Sequence, residues 1–337
     1  MKRAPSSIST RTLPPDAQGL YDPINEHDAC GVGFIVNIAG KKSHQTLSDA
    51  LQILVNLQHR GACGCEDNTG DGAGVLFQIP DKFLRREATK LGIQLPEQGD
   101  YAVGMVFLPS DIDQRLICEE EFVRIVEEEG QTVLGWRDVP RDNSSLGQTA
   151  IVVEPSIRQI FIGRGPKTSD RGLFEWKLYV IRKRVEAAVR NSDLTQKRFF
   201  YVPSLSNKTI VYKGLLLATQ MDSYYADLSD PDVETAIAMV HQRYSTNTFP
   251  TWDLAHPFRY IAHNGEINTV RGNQNWMRAR QSVMGSKRFK DDVQKLFPII
   301  PERMSDSAAF DCALELLHAT GRSLPQPTCC RAMKRPT

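Results

Sequence analysis

No stretch of this sequence is apolar for long enough to cross a bilayer. The longest apolar runs, such as residues 214–219, fall far short of the ~20 residues that a spanning helix needs. There is no excess of charge either. Lys and Arg number 41 against 40 Asp and Glu, a net charge of +1, without the basic surplus that usually accompanies nucleic-acid binding. Neither a membrane nor a nucleic acid is therefore expected as a partner. Residues 1–29 start with basic side chains but contain no apolar segment, which excludes a secretory signal. Their Ser and Arg content and early lack of acids leave an organelle transit peptide as the alternative to a cytoplasmic location. Cysteine is sparse and follows no disulfide pattern: seven in 337 residues, an odd number, point to a reducing compartment. Cys63-Gly64-Cys65 is C-x-C rather than C-x-x-C, and no second pair sits at zinc-finger spacing. No metal site is expected, and two small residues in a tight loop are the plain reading. Internal repeats and low-complexity linkers are also missing.

What is present is a chain with 41% hydrophobic residues, enough for one large core or two smaller ones. Residues 31–39 read as a buried strand, followed by a helix capped by Ser43, with Leu47, Ala50, Leu51, Leu54, Val55 and Leu57 at helical spacing. Gly61 is expected to close that helix. A loop-rich run, residues 66–74, leads into a strand at 75–79. Then come a helix at 81–91 ended by Gly92, a strand at 101–108, an acidic helix at 113–129, and strands at 132–139 and 159–163. The long amphipathic helix at 173–190 carries Arg182, Lys183 and Arg184, most simply a solvated face. Residues 199–203 and 209–213 read as a hairpin across Leu205-Ser206-Asn207. Strands at 235–241 and 260–263 and helices at 268–284 and 305–319 complete the pattern. The sum is one mixed domain with mostly antiparallel sheets.

Four stretches carry residues capable of chemistry. In "HDACGVGFIV" (27–36), Cys30 sits where a polar segment turns apolar; alone, it would be read as a small buried hydrophobe. In "HQRYSTNTFPTW" (241–252), Arg243 offers a planar fork suited to a carboxylate, beside Ser245, Thr246 and Asn247. A surface Arg in a polar loop is the plain alternative. In "IAHNGEIN" (261–268), Asn264-Gly265 is ordinary turn chemistry, but the pair can also aim a side-chain amide and a backbone N–H at one point, as an oxyanion hole does. In "SDSAAFD" (305–311), Ser305 suits a helix N-cap and Asp306 the first turn; a carboxylate held there can also grip an ammonium group.

Together these motifs, with "GLYDPINEHDACGVGF" and "LQHRGACGCEDNTGDGAG", resemble the N-terminal glutaminase domain of the large subunit of glutamate synthase, a class II glutamine amidotransferase. The resemblance implies the N-terminal-nucleophile hydrolase fold: α+β, an αββα sandwich of two mostly antiparallel sheets between helical layers, with the strand after Cys30 central. It implies hydrolysis of L-glutamine to glutamate and ammonia through a cysteine thioester. Cys30 is then the nucleophile and Asn264 and Gly265 the oxyanion hole. Arg243 holds the substrate α-carboxylate, Asp306 with the Gly265 backbone holds the α-ammonium, and Thr246 lines the pocket. Arg60-Gly61 matches a structural helix-end feature. Residues 1–29 are expected to be a removable leader, 30–325 the amidotransferase domain, and 326–337 a divergent tail from truncation or a frame error. No cofactor is implied in this chain. FMN, an iron–sulfur cluster and conversion of 2-oxoglutarate belong to a synthase region, with a reductase or ferredoxin as partner of a complete enzyme. The competing readings are the glutaminase of another class II amidotransferase, such as glucosamine-phosphate synthase or the amidophosphoribosyltransferase, and a catalytically silent fragment that acts as a binding module.

Overall fold

The computed structural model describes residues 31–61, 66–243, 249–263, 265, 267–285 and 289–324. All of them belong to one compact unit beginning at Gly31. In chain order the elements are β1 (Val32–Val36), α1 (His44–Asn56), β2 (Ala73–Gln78), α2 (Asp81–Lys90), β3 (Tyr101–Leu108), α3 (Ile112–Glu128), β4 (Thr132–Asp138), α4 (Gln148–Val152), β5 (Ser156–Gly163), α5 (Arg171–Asn191), β6 (Tyr201–Ser206), β7 (Thr209–Gly214), α6 (Met221–Tyr224), β8 (Ile237–Gln242), α7 (Val270–Gln281) and α8 (Asp306–Ala319). No helix among the described residues is long and apolar enough to cross a membrane.

The strands form two four-stranded sheets, ordered β1-β8-β2-β7 and β4-β5-β3-β6, in which every pairing is antiparallel. The α+β expectation of two antiparallel sheets with packed helices is met. A single apolar core joins them, with Val75, Phe77, Val240 and Tyr212 from the first sheet and Val103, Met105, Phe107 and Phe161 from the second. Tyr212 crosses between the sheets: its hydroxyl accepts from Gln159 Nε2 at 2.9 Å and donates to Asp227 at 2.8 Å. The alternate side chains of the second sheet, Ala102, Val106, Ile160 and Ile162, pack under Phe122 and Ile125 of α3 and Phe174, Leu178 and Ile181 of α5. On the first sheet, α1 presses so closely on β1 that a Cβ at Gly33 would lie 2.4 Å from Ile53, so only glycine fits there. Ser43 caps α1, its side chain accepting from Thr46 N, and Gly92 closes α2 with φ +74°.

Several local expectations fail for physical reasons. β1 is an outer strand of its sheet, paired with β8, rather than central. β6 and β7 do not form a hairpin: the turn between them carries the chain from one sheet into the other. Residues 260–263 are irregular rather than a strand, because Tyr260 N and His263 O bond to side chains and Ile261 O closes a local turn on Phe258 N, leaving no ladder. Gly61 ends a short 3₁₀ turn with φ −78°, so no left-handed cap is involved; it is small because Gln242 packs against it, 2.2 Å from where a Cβ would stand. The charges of α5 are not a solvated face. Arg182 is 1% exposed and Lys183 4%, since α5 is covered by the second sheet on one side and by Phe289, Ile299 and α8 on the other. Arg182 pairs with Glu186 at 2.9 Å and with Glu315, and Lys183 donates to the carbonyls of Pro298 and Ile299. Buried charges of this kind persist only when every donor is matched.

Candidate active site

The end of β8 is where the separated motifs meet. Gln242 N donates to Gly31 O at 2.7 Å, which ties the residue after Cys30 to the residue before Arg243. Arg243 then leaves the sheet with φ +104°, a conformation few non-glycine residues adopt, held by its N–H donating to Gly72 O at 2.7 Å. Gly72 itself has φ +132°. The Arg243 guanidinium lies with Nε 3.9 Å from the buried Asp71 carboxylate, while 44% of the side chain stays exposed. A charge anchored at its base and open at its tip is suited to a second carboxylate.

Tyr260, His263 and Ile267 are each held by a backbone bond to a side chain. Tyr260 N donates to Asp311 Oδ1 at 2.8 Å, His241 Nε2 donates to His263 O at 3.1 Å, and Ile267 N donates to Asp306 Oδ2 at 2.9 Å. The carbonyl can only accept, so the proton of His241 sits on Nε2. Gly265 lies within this span and is exposed, and a Cβ there would stand 3.8 Å from His263 Nδ1. Asp306 begins α8 beneath the Ser305 N-cap, whose hydroxyl accepts from Ala308 N at 3.1 Å. It is 3% exposed, and its Oδ1 accepts from Ser307 N at 2.7 Å. A negative charge at that position suits the N-terminal end of the helix dipole.

Beneath this segment lies a set of buried polar groups. The His256 ring stacks on His241 at 4.3 Å and meets His263 edge-on at 5.8 Å. Burial, with the neighbouring His241 and Lys213 charges, pushes His256 well below the ordinary histidine range. Burial also lowers His263, against the opposing pull of Asp306 and the Gly265 backbone. These two rings are therefore neutral near pH 7. Lys213, on β7, donates to the carbonyls of Asp253 and Ala255 at 2.7 Å each and faces the rings of Tyr201 and Phe258. Burial, assisted by Arg259, pushes its ammonium down to about 7. The His256 carbonyl lies so near β2 that a Cβ on Gly74 would come within 2.4 Å of it, and glycine permits the approach.

Of the residues singled out from sequence, Arg243, Gly265 and Asp306 lie on segments that these bonds join. Cys30, Thr246 and Asn264 fall outside the described residues, as do Cys63 and Cys65. Four contributors went unread: His241, Lys213, His256 and Asp311. His241 and Asp311 stand inside the motifs already quoted, and their signal was a polar side chain on an otherwise apolar element. Nothing local marks Lys213, whose two carbonyl partners lie 40 and 42 residues away.

The family model described as "Glutamine amidotransferases class-II" matches residues 30–331. The chain is 49% identical over 308 residues to a protein named "Glutamate synthase [NADPH] large chain" from Bacillus subtilis, covering 91% of this chain and 20% of that protein. It is 47% identical over 323 residues to "Glutamate synthase [NADH]" of Saccharomyces cerevisiae, covering 93% and 15%. It is 40% identical over 320 residues to "Ferredoxin-dependent glutamate synthase 2, chloroplastic" of Arabidopsis thaliana, covering 94% and 19%. The chain thus spans a fifth or less of the length of these relatives.

Proposed function

The chain belongs to the class-II glutamine amidotransferases, and from that premise we propose that it is the glutaminase domain of a glutamate synthase, hydrolysing L-glutamine to glutamate and ammonia. The observation that supports this most is the set of short bonds joining the segments of Gly31, Arg243, Gly265 and Asp306, which are far apart in sequence.

In this reading residues 1–29 are a leader whose removal exposes the α-amine of Cys30; the family match begins at that residue. A free α-amine has a pKa of about 7.7–8, so it can take the thiol proton near neutral pH. The thiolate adds to the side-chain amide carbon of glutamine. The oxyanion is met by the Asn264 amide and the Gly265 N–H, while Arg243 holds the α-carboxylate, Asp306 and the Gly265 backbone the α-ammonium, and Thr246 lines the pocket. The amine returns its proton to the departing nitrogen, and ammonia leaves behind a Cys30 thioester. Water then adds to the thioester carbon, the S–C bond breaks, and glutamate leaves with the thiol restored.

The ammonia is destined for 2-oxoglutarate in a synthase region, where the FMN and iron–sulfur chemistry also belongs, served by a pyridine-nucleotide reductase or ferredoxin. Residues 30–325 form the amidotransferase part. A cytoplasmic location fits the cysteine content, and an organelle fits the chloroplastic Arabidopsis relative. Ammonia release from L-glutamine by the chain, compared with Cys30→Ser, tests the proposal. Turnover should fall at least about a thousandfold in the variant, since a serine hydroxyl is far less acidic than a thiol. Equal turnover in both proteins would reject Cys30 as nucleophile.

A further inference from the structure

The three bonds to Tyr260, His263 and Ile267 come from two elements, α8 and β8. α8 supplies two aspartates five positions apart: Asp311 takes the N–H of Tyr260 at one end, and Asp306 takes the N–H of Ile267 at the other. β8 supplies His241, which takes hold of the His263 carbonyl, next in sequence to Asn264. The same histidine faces Val32 across the β1–β8 pair, two residues from Cys30. Its ring is 1% exposed and is braced by the stacked His256, so it has little freedom to turn. Asp311 is fully buried, and its second oxygen lies 3.5 Å from Arg259 Nε, within a charge cluster that also includes Glu315 and Arg182. Arg259 in turn donates to Tyr201 Oη and Val202 O, which anchors the chain one residue before Tyr260. Each bond fixes a backbone group, and none is needed to complete a sheet or helix.

We propose that His241 and Asp311 are positioning residues that hold the backbone leading into Gly265, at His263 and Tyr260, so that the Gly265 N–H stays aimed at the developing oxyanion. This rests on the glutaminase reading and adds two residues to it that need not touch glutamine. Oxyanion donors act through pre-set geometry, and a displacement of about 1 Å is enough to cost on the order of a hundredfold in rate. Arg243 is attached by another bond, through Gly72 O, and Asp306 by the α8 N-terminus as well as by Ile267 N; the Gly265 backbone is shared by both ends of the substrate. Loosening the segment should therefore weaken oxyanion stabilisation much more than substrate binding, which keeps Arg243 and Asp306.

The test compares two ligands on the full chain matured to begin at Cys30. L-Glutamate γ-semialdehyde forms a tetrahedral adduct: the Cys30 sulfur bonds to the aldehyde carbon, the C=O π bond opens, and the thiol proton passes to the α-amine or to the new oxygen. L-Glutamate uses the Arg243 and Asp306 ends without such an adduct. Dissociation constants are measured by calorimetry for the unsubstituted chain, His241→Phe, His241→Gln and Asp311→Ala. His241→Phe keeps a ring for His256 to stack on but removes the donor; it should weaken the semialdehyde about tenfold or more and glutamate no more than about twofold. His241→Gln, with an N–H at the same reach, should recover semialdehyde binding to within about threefold. Asp311→Ala should behave as His241→Phe does; should it fail to fold, the two His241 variants decide the matter. Equal weakening of both ligands, or of neither, in His241→Phe would overturn the proposal while leaving the glutaminase reading intact. No semialdehyde binding by the unsubstituted chain would overturn both.

Discussion

The two sheets use buried space differently. Around the second sheet, α3 and α5 seal one face with aliphatic and aromatic side chains, and Phe122 meets Trp136 edge-on at 5.7 Å. Around the first, the face carrying His241 and Lys213 is covered by the 253–263 segment, and what it buries is polar: His241, His256, Lys213 and the carbonyls that Lys213 holds. Apolar burial is non-directional and tolerant, so it stabilises without fixing a particular loop conformation. Buried hydrogen-bonding groups stabilise less on balance but lose heavily when a partner is displaced, so they specify one conformation. Of these two faces, one thus contributes mainly stability and the other mainly geometric precision.

This contrast can be broken in three ways. The largest expected effect is on the apolar side. Phe122→Ala should lower unfolding stability by about 3–5 kcal/mol, the range for a fully buried aromatic, with glutaminase kcat of the folded protein unchanged. Denaturant titration beside steady-state kinetics would show it, and a loss of kcat matching the loss of stability would erase the distinction. On the polar side, Asn264→Ala should reduce kcat by about 10²–10³, or roughly 2.7–4 kcal/mol of transition-state stabilisation, with the unfolding midpoint little changed. Unchanged turnover would remove Asn264 from the oxyanion hole. The smallest effect concerns pH. Because His256 is held below its ordinary value of 6.5, the unfolded chain binds a proton that the folded chain does not once pH falls below that value. Stability should therefore be full above about pH 6.5 and decline below it, by at most about 1.4 kcal/mol per pH unit from this group. His256→Phe should flatten that slope in unfolding curves taken between pH 5 and pH 7, values spanning the histidine range. An identical slope in the variant would show that the ring is not buried in its neutral form.

The sequence made periodic elements legible, because each rests on local signals. β3 falls at residues 101–108 as read, and α8 begins after the Ser305 cap. What it concealed were consequences of tertiary pairing. β6 and β7 carry hairpin-like signals, yet the choice of sheet is made by the partners β3 and β2. Arg182 and Lys183 look solvated on a helical wheel; only the arrival of α8 and of residues 298–299 buries them. The candidate site divides in the same way. Arg243 and Asp306 are proposed from residue type and motif, whereas His241 and Lys213 bond to backbone carbonyls distant in sequence, which no local pattern announces.

In the proposed mechanism Cys30 works as an N-terminal residue. Intact mass and N-terminal sequence, determined on the same preparation used to measure ammonia release from L-glutamine, test it most directly. Active protein should begin at Cys30, and chains retaining residues 1–29 should be inactive, since an internal Cys30 has an amide nitrogen in place of the basic amine. Full glutaminase activity from a chain that still begins at Met1 would contradict the account.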